Sequence, residues 1–188
     1  VSNLGELIAL AKAKPGTLNY GQPGSLSNGH LSMELLKNIT GTDIVSVPYK
    51  GGIPALADLV AGQIQVMMNA PSATIPFIKA GKLKALAVSG TKRMEAMPEI
   101  PTIAESGYPG FETYDWFGYF VPAKTPHEIV TRLNREIAQI VRNPQIAAWL
   151  TTQGAVPVGN TPEEFVIFLQ AEMEKLGGLA RKIGLRAE

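Results

Sequence analysis

Apolar residues recur at helical spacing in the opening stretch of the chain and predict a first helix that ends before Pro15-Gly16. Short apolar runs then predict strands at residues 17–20, 44–47, 63–68 and 84–88. Helices are predicted between these runs, from about residue 28, at 53–60, and after the turn 69–72 up to Ala80-Gly81. Because strands and helices alternate with short connections, the pattern predicts an α/β fold with a parallel-rich sheet and flanking helices.

The pattern changes after residues 113–121, an aromatic segment that predicts a further strand. Helices are then predicted at 126–141, with Thr125 as cap and Pro126 in the first position, at 144–151, and from Thr161. Thr161 and Glu164 match the spacing of a capping box, and only residues 155–158 suggest another strand. The apolar faces of these helices need a covering partner, so we expect the tail to clad a sheet formed elsewhere.

Charge and composition exclude several classes of function. Lys plus Arg total 17 and Asp plus Glu total 16, which gives a formal net charge of +1 with no basic cluster, so we expect no nucleic-acid partner. The lack of cysteine excludes thiolate metal sites, Fe–S clusters and disulfides, and two histidines are too few for a His-rich metal site. We find no cofactor motif, no apolar run long enough to span a membrane, and no signal peptide in the opening residues.

The segment GSLSNGHL has two glycines, Gly24 and Gly29, at the spacing of a phosphate-binding P-loop. That motif requires a Lys and then a Ser or Thr, and this chain has His30 and Leu31 instead, so it lacks the phosphate-binding charge and the Mg²⁺-binding hydroxyl. Backbone amides, serine hydroxyls and a helix N-terminus remain, and these groups suit a carboxylate as well as a phosphate. A Gly/Ser loop that merely caps a helix is the other interpretation.

The same segment allows a second function, a small hydrolase or transferase that uses Ser25 or Ser27 with His30. The serines do not lie in a GxSxG nucleophile elbow, and nothing in the sequence selects a third, orienting carboxylate. This alternative therefore has less support than a binding protein.

Two further turns follow predicted strands, and the carboxyl ends of parallel strands meet at one edge of a sheet. In the turn PYKGG, Tyr49 and Lys50 could face a ligand crevice or simply lie in solvent. In the turn NAPS, Asn69 and Ser72 could donate hydrogen bonds to a ligand or cap the next helix.

Six motifs together resemble, in order and spacing, the substrate-binding receptors of tripartite tricarboxylate transporters, called the Bug or TctC-like family. They are YGQPGSLSNGHLSMELL, VPYKGGIPALADLVAGQIQVM, AGKLKALAV, PTIAESGYPGFE, WFGYFVPAKTP and TPEEF. The resemblance implies a periplasmic, non-enzymatic receptor with a two-lobed fold of the periplasmic-binding-protein type 2 class. It also implies that a small organic carboxylate is captured and delivered to membrane permease subunits, without a cofactor.

In that family each lobe supplies a strand–loop–helix turn that holds the ligand carboxylate. The resemblance assigns the second-lobe turn to Gly24, Ser25, Ser27, Asn28 and His30 of this chain. It also implies that the loop formed by Asn69, Ala70, Pro71 and Ser72 lines the same cleft and tunes ligand choice.

The beginning of the family's first lobe has no counterpart in this sequence. The resemblance therefore implies that residues 1–115 form the second, central lobe with the carboxylate-binding loop. Residues 116–188 are then expected to form the crossover and the mostly helical C-terminal part of an incomplete first lobe. Apolar surfaces exposed on that part are expected to favour self-association.

Overall fold

The computed structural model describes residues 1–182 and 184, and within them helices and strands alternate only in the first part of the chain. The elements are α1 Leu4–Ala13, β1 Asn19–Gln22, α2 Asn28–Thr40, β2 Val45–Pro48, α3 Gly52–Val60, α4 Pro71–Lys79, α5 His127–Arg142, α6 Pro144–Thr152 and α7 Pro162–Lys182. None of the helices within the described residues is long and apolar enough to cross a membrane.

Strand β1 lies in the middle of a small parallel arrangement. It pairs with β2 on one side, in a register that sets Tyr20 opposite Ser46. On its other side it meets residues 63–68 through a parallel bridge between Tyr20 and Val66, and the Gly21 N–H donates to the Val66 carbonyl at 3.0 Å. Because all three segments run in the same direction, their carboxyl ends lie at one edge, as the α/β prediction requires.

Several predicted strands are not regular strands in the structure. Residues 63–68 and 84–88 each pair through one isolated bridge, and neither 113–121 nor 155–158 forms a ladder within the described residues. Segment 113–121 begins with one backbone bond, from the Thr113 N–H to the Ser89 carbonyl, and then continues unpaired. The prediction was wrong there because aromatic and β-branched residues indicate fit to a pleated surface and cannot indicate whether a partner strand is present.

The buried core lies between α1, β1, α2 and the segment that ends near Thr113. Tyr20 at its centre is fully buried, and its hydroxyl donates to the Glu34 carboxylate at 2.7 Å, so the polar end of the ring is satisfied. Burial, with Glu34 nearby, raises the pKa of this phenol well above its ordinary value. Lys37 in turn pairs with Glu34 at 2.6 Å. These contacts hold the buried face of α2 against β1.

The tail helices leave most of their apolar side chains uncovered. Neither α5 nor α6 has a buried residue, and their exposed side chains include Ile140 and Trp149. Trp116 meets α7 through edge contacts with Phe165 and Phe168, whose ring centroids lie 6.0 and 5.4 Å away. This aromatic contact holds α7 against the crossover segment.

Local signals in the tail are mostly confirmed. Thr161 and Glu164 form the predicted capping box, in which the Glu164 N–H donates to the Thr161 hydroxyl and the Thr161 N–H donates to the Glu164 carboxylate. Helix α5 begins one residue later than predicted, at His127, with Pro126 rather than Thr125 at the capping position.

Candidate ligand-binding site

Three helix N-termini gather at the carboxyl edge of the parallel segments, since α2 follows β1, α3 follows β2, and α4 follows residues 63–68. Gly29 in the first turn of α2 lies so near the Met68 carbonyl oxygen that an added Cβ would be 2.7 Å from it. A Cβ on Gly52, at the start of α3, would lie 3.3 Å from the Asn69 side-chain oxygen. Only glycine allows the first of these approaches, so the glycines bring the three turns together.

Backbone N–H groups at these three helix starts have no acceptor among the described residues. They belong to Asn28 and Gly29 on α2, Gly52 and Ile53 on α3, and Ser72 on α4. Neither α3 nor α4 has a side-chain cap. Orphan amides and the positive ends of helix dipoles favour an anion at such a place.

The loop that leads into α2 has an unusual backbone. Gly24 has φ 154° and Leu26 has φ 56°, and Leu26 is the only non-glycine with positive φ among the described residues. Ser27 then caps α2, because its hydroxyl accepts from the His30 N–H at 3.3 Å. A non-glycine residue in the left-handed region is held there by its surroundings, a feature common in loops that bind ligands.

His30 is buried, and its ring accepts hydrogen bonds from the loop that precedes it. The exposed fraction is 8%, and Nδ1 accepts from the Leu26 N–H at 3.2 Å. The Gln22 side-chain nitrogen lies 3.3 Å from the same Nδ1, and the Gln22 oxygen accepts from the Ser46 hydroxyl at 2.7 Å. Burial lowers the pKa of His30, with a smaller opposing effect from Glu34. The ring is therefore part of the loop's framework.

Asn28 connects the start of α2 to the crossover segment, because its side-chain nitrogen donates to the Tyr114 carbonyl. The side-chain oxygen of Asn28 is buried without a partner among the described residues. Next to this contact, the Ser32 hydroxyl donates to the Thr113 hydroxyl at 2.8 Å. The amino end of α2 is thus attached to the point where the chain leaves the core.

The other predicted site residues lie around the same edge with different exposure. Tyr49 donates its hydroxyl to Asp58 on α3 at 2.7 Å, so that hydroxyl braces the turn, while Lys50 is exposed and makes no ion pair within the described residues. Ser25 is exposed as well. Half-buried Asn69, Ala70 and Pro71 lead into α4, and Ser72 is exposed on its first turn.

A serine–histidine pair does not form in this geometry. Ser27 bonds to the backbone N–H of His30 rather than to its ring, and Nδ1 already accepts from Leu26. No hydrogen bond joins Ser25 or Ser27 to the imidazole among the described residues, so the pairing that would activate a serine is missing.

Surface grooves and metal-binding clusters give no competing site in the described part of the chain. One open groove of about 380 Å³ lies between α5 and residues 159–161, another of about 460 Å³ lies between α5 and the start of α6, and neither is lined by a predicted site residue. Both grooves lie on tail helices whose apolar faces are uncovered. No group of acidic or histidine side chains within residues 1–182 and 184 could hold a metal ion.

Sequence reasoning missed Gln22, Leu26, Ser46 and Tyr114. Leu26 contributes through its backbone conformation and Tyr114 through its carbonyl, and neither has a side-chain signal in the sequence. Gln22 and Ser46 lie on paired strands 24 residues apart, so only the β1–β2 register could have joined them.

Comparisons with known proteins agree on one family. The description "Tripartite tricarboxylate transporter family receptor" matches residues 1–185. Protein BugT of Bordetella pertussis is 34% identical over 186 residues, which are 99% of this chain and 57% of that protein. A protein from the clcB-clcD intergenic region of Pseudomonas knackmussii is 36% identical over 80% of this chain and 89% of its own length.

Solved structures confirm the fold. The R. palustris protein solved with adipate has a TM-score of 0.95 and 38% identity, and the match covers 98% of this chain and 62% of that one. MatC from Rhodopseudomonas palustris with bound malate has a TM-score of 0.83 and 30% identity, with 96% and 62% covered. The periplasmic binding protein BugD has a TM-score of 0.93 and 29% identity, with 100% and 64% covered. The chain thus spans less than two thirds of these proteins and 57% of BugT.

Proposed function

Because the chain belongs to the receptor family of tripartite tricarboxylate transporters, we propose that it binds a small organic carboxylate where α2, α3 and α4 begin. The family consists of receptors rather than enzymes, which agrees with the absence of a bonded serine–histidine pair from the described site. The convergence of three uncapped or partly capped helix starts is the observation that carries the proposal.

The chemistry of that convergence favours a carboxylate. A small anion at this edge would meet the unpaired amides of Gly29, Gly52 and Ser72, which belong to different helices. Charge-assisted hydrogen bonds from backbone amides need no cationic side chain, and Lys50 is the one lysine in the three turns. Two solved neighbours, with adipate and with malate, hold ligands of this class.

We further propose that the receptor works outside the cytoplasm and passes its ligand to membrane permease subunits. The description of the family as a transporter receptor supports this, as do neighbours described as periplasmic. The lobe boundary between residues 115 and 116 stays a prediction. In support of it, every buried residue of the described part lies at or before Thr113.

Titration calorimetry of the chain with adipate, malate and citrate, and with adipamide as an uncharged analogue, tests the carboxylate proposal. We expect saturable binding of at least one carboxylate and none of the amide. Asn69→Asp places a negative charge beside Gly52 at the start of α3 and should weaken binding at least about tenfold. Asn38→Asp, on an exposed position near the other end of α2, is the matched control and should leave affinity unchanged.

Equal losses of affinity in Asn69→Asp and Asn38→Asp would indicate that the anion binds elsewhere. Equal affinities for adipamide and adipate would contradict the recognition of an anion. Hydrolysis of an ester of these acids that is lost in His30→Ala would instead support the enzymatic alternative.

A further inference from the structure

Leu26 adopts a left-handed conformation beside the ring of His30, and this arrangement indicates a role for His30 beyond that of a ligand contact. Leu26 has φ 56°, and its N–H donates to His30 Nδ1 at 3.2 Å, four residues along the chain. We propose that His30 is a positioning residue whose unprotonated Nδ1 holds the loop 24–27 in shape for the carboxylate. This inference rests on the proposed function of the same loop.

The hydrogen-bond donors around the ring fix its tautomer. A backbone N–H can only donate, so Nδ1 must present its lone pair to Leu26, and the proton of a neutral ring must be on Nε2. Gln22 adds a second donor to Nδ1, since its oxygen is engaged by the Ser46 hydroxyl and its nitrogen therefore faces the ring. The network connects β2, β1 and α2 to one loop amide.

Protonation of the ring would break this network. With a proton on Nδ1, the ring would present a donor to two other donors, the Leu26 N–H and the Gln22 side-chain nitrogen. The Leu26 N–H cannot act as an acceptor, so its hydrogen bond to the ring would be lost. The loop would then lose the bond that stabilises its left-handed residue. The charged groups that act on the ring are Glu34 and Lys37, both on α2, whereas β1 and β2 contribute the uncharged Gln22 and Ser46. Burial is the largest influence, and it keeps the ring neutral near pH 7.

Two polar replacements of similar size separate positioning from simple packing. In His30→Asn the side-chain oxygen can take the place of Nδ1, whereas in His30→Gln the acceptor extends to the place of Nε2. We expect His30→Asn to bind adipate or malate within about threefold of the unsubstituted chain, and His30→Gln about tenfold more weakly, the value of one hydrogen bond.

The pH dependence gives a second readout. Between pH 8 and 5.5 the ligand's own ionisation affects both proteins, so the ratio of unsubstituted to His30→Asn affinity isolates the ring. That ratio should fall as the solution is acidified, because only the histidine can acquire a proton. A ratio that stays constant while NMR shows His30 titrating would overturn the proposal, as would equal affinities of the Asn and Gln variants.

NMR of the chain without ligand decides the inference even if no carboxylate binds. Nitrogen shifts of the imidazole should show the Nε2–H tautomer, and the Leu26 amide should be protected from hydrogen exchange at pH 7 and lose protection as His30 protonates. An Nδ1–H tautomer would overturn the role of His30 whatever the calorimetry shows. Failure of every carboxylate to bind, with the expected NMR result, would count against the proposed function alone.

Discussion

Gly29→Ala tests whether the close approach between α2 and residue Met68 builds the site. The added Cβ would lie 2.7 Å from the Met68 carbonyl oxygen and 3.2 Å from the Pro23 ring, and neither is the flexible end of a side chain. Overpacking of this kind costs about 1–3 kcal/mol, while replacing a helical glycine by alanine contributes about 0.5–1 kcal/mol in the other direction. The steric effect wins, so we expect Gly29→Ala to lower the free energy of unfolding and to weaken carboxylate binding.

Gly178→Ala is the matched control, because Gly178 lies inside α7 and a Cβ there meets nothing within 4 Å. It should be stabilising or neutral, so the two variants should differ by about 1–3 kcal/mol in urea unfolding followed by circular dichroism. Equal stability of the two variants, with carboxylate affinity retained in Gly29→Ala, would refute the reasoning that steric contact at Met68 defines the site.

Two further predictions concern regions outside the site. The Glu105 carboxylate accepts from the Thr102 N–H and from Arg93, which together lower its pKa below the ordinary value of 4.5. The ionised Glu105 carboxylate therefore stabilises the fold above pH 4.5, and this stabilisation is lost as the pH falls through the lower pKa of the folded state. Glu105→Gln should accordingly reduce the urea midpoint at pH 7, and the difference in midpoint between the variant and the unsubstituted chain should vanish in acid. The exposed apolar surface of the tail, where Trp149 is 59% exposed, should cause self-association, so that light scattering gives a mass above the 20.1 kDa of the monomer. Trp149→Glu should shift the measured mass toward that of the monomer.

Each of these has its own control. Glu99→Gln, an exposed carboxylate without an ion pair in the described residues, should leave the urea midpoint unchanged, and an equal loss there would discount the Glu105 contacts. Gln145→Glu adds the same charge as Trp149→Glu to the same helix without removing apolar surface. If it dissociates the protein equally, or if the unsubstituted chain is a monomer, the apolar tail is not the cause of association.

Local signals predicted the helices well because their determinants lie within a few residues. The periodicity of Leu4, Leu7 and Ile8 predicted α1, and Thr161 with Glu164 predicted the cap of α7. The predicted strands succeeded only where a partner lay alongside, as for β1 and β2, and failed at 113–121, where composition carries no information about a neighbour.

The sequence by itself determined the order of helices and strands, the glycine-rich loop before α2 and the family, since each follows from residue types at fixed spacing. Only the tertiary structure decided that Leu26 is left-handed, that His30 accepts from it, and that Gly29 meets Met68. These contacts depend on the register between β1 and its neighbours and on backbone angles, which side-chain chemistry along the chain does not encode locally. The proposed anion-binding site can therefore be predicted from the sequence, whereas its geometry depends on the fold.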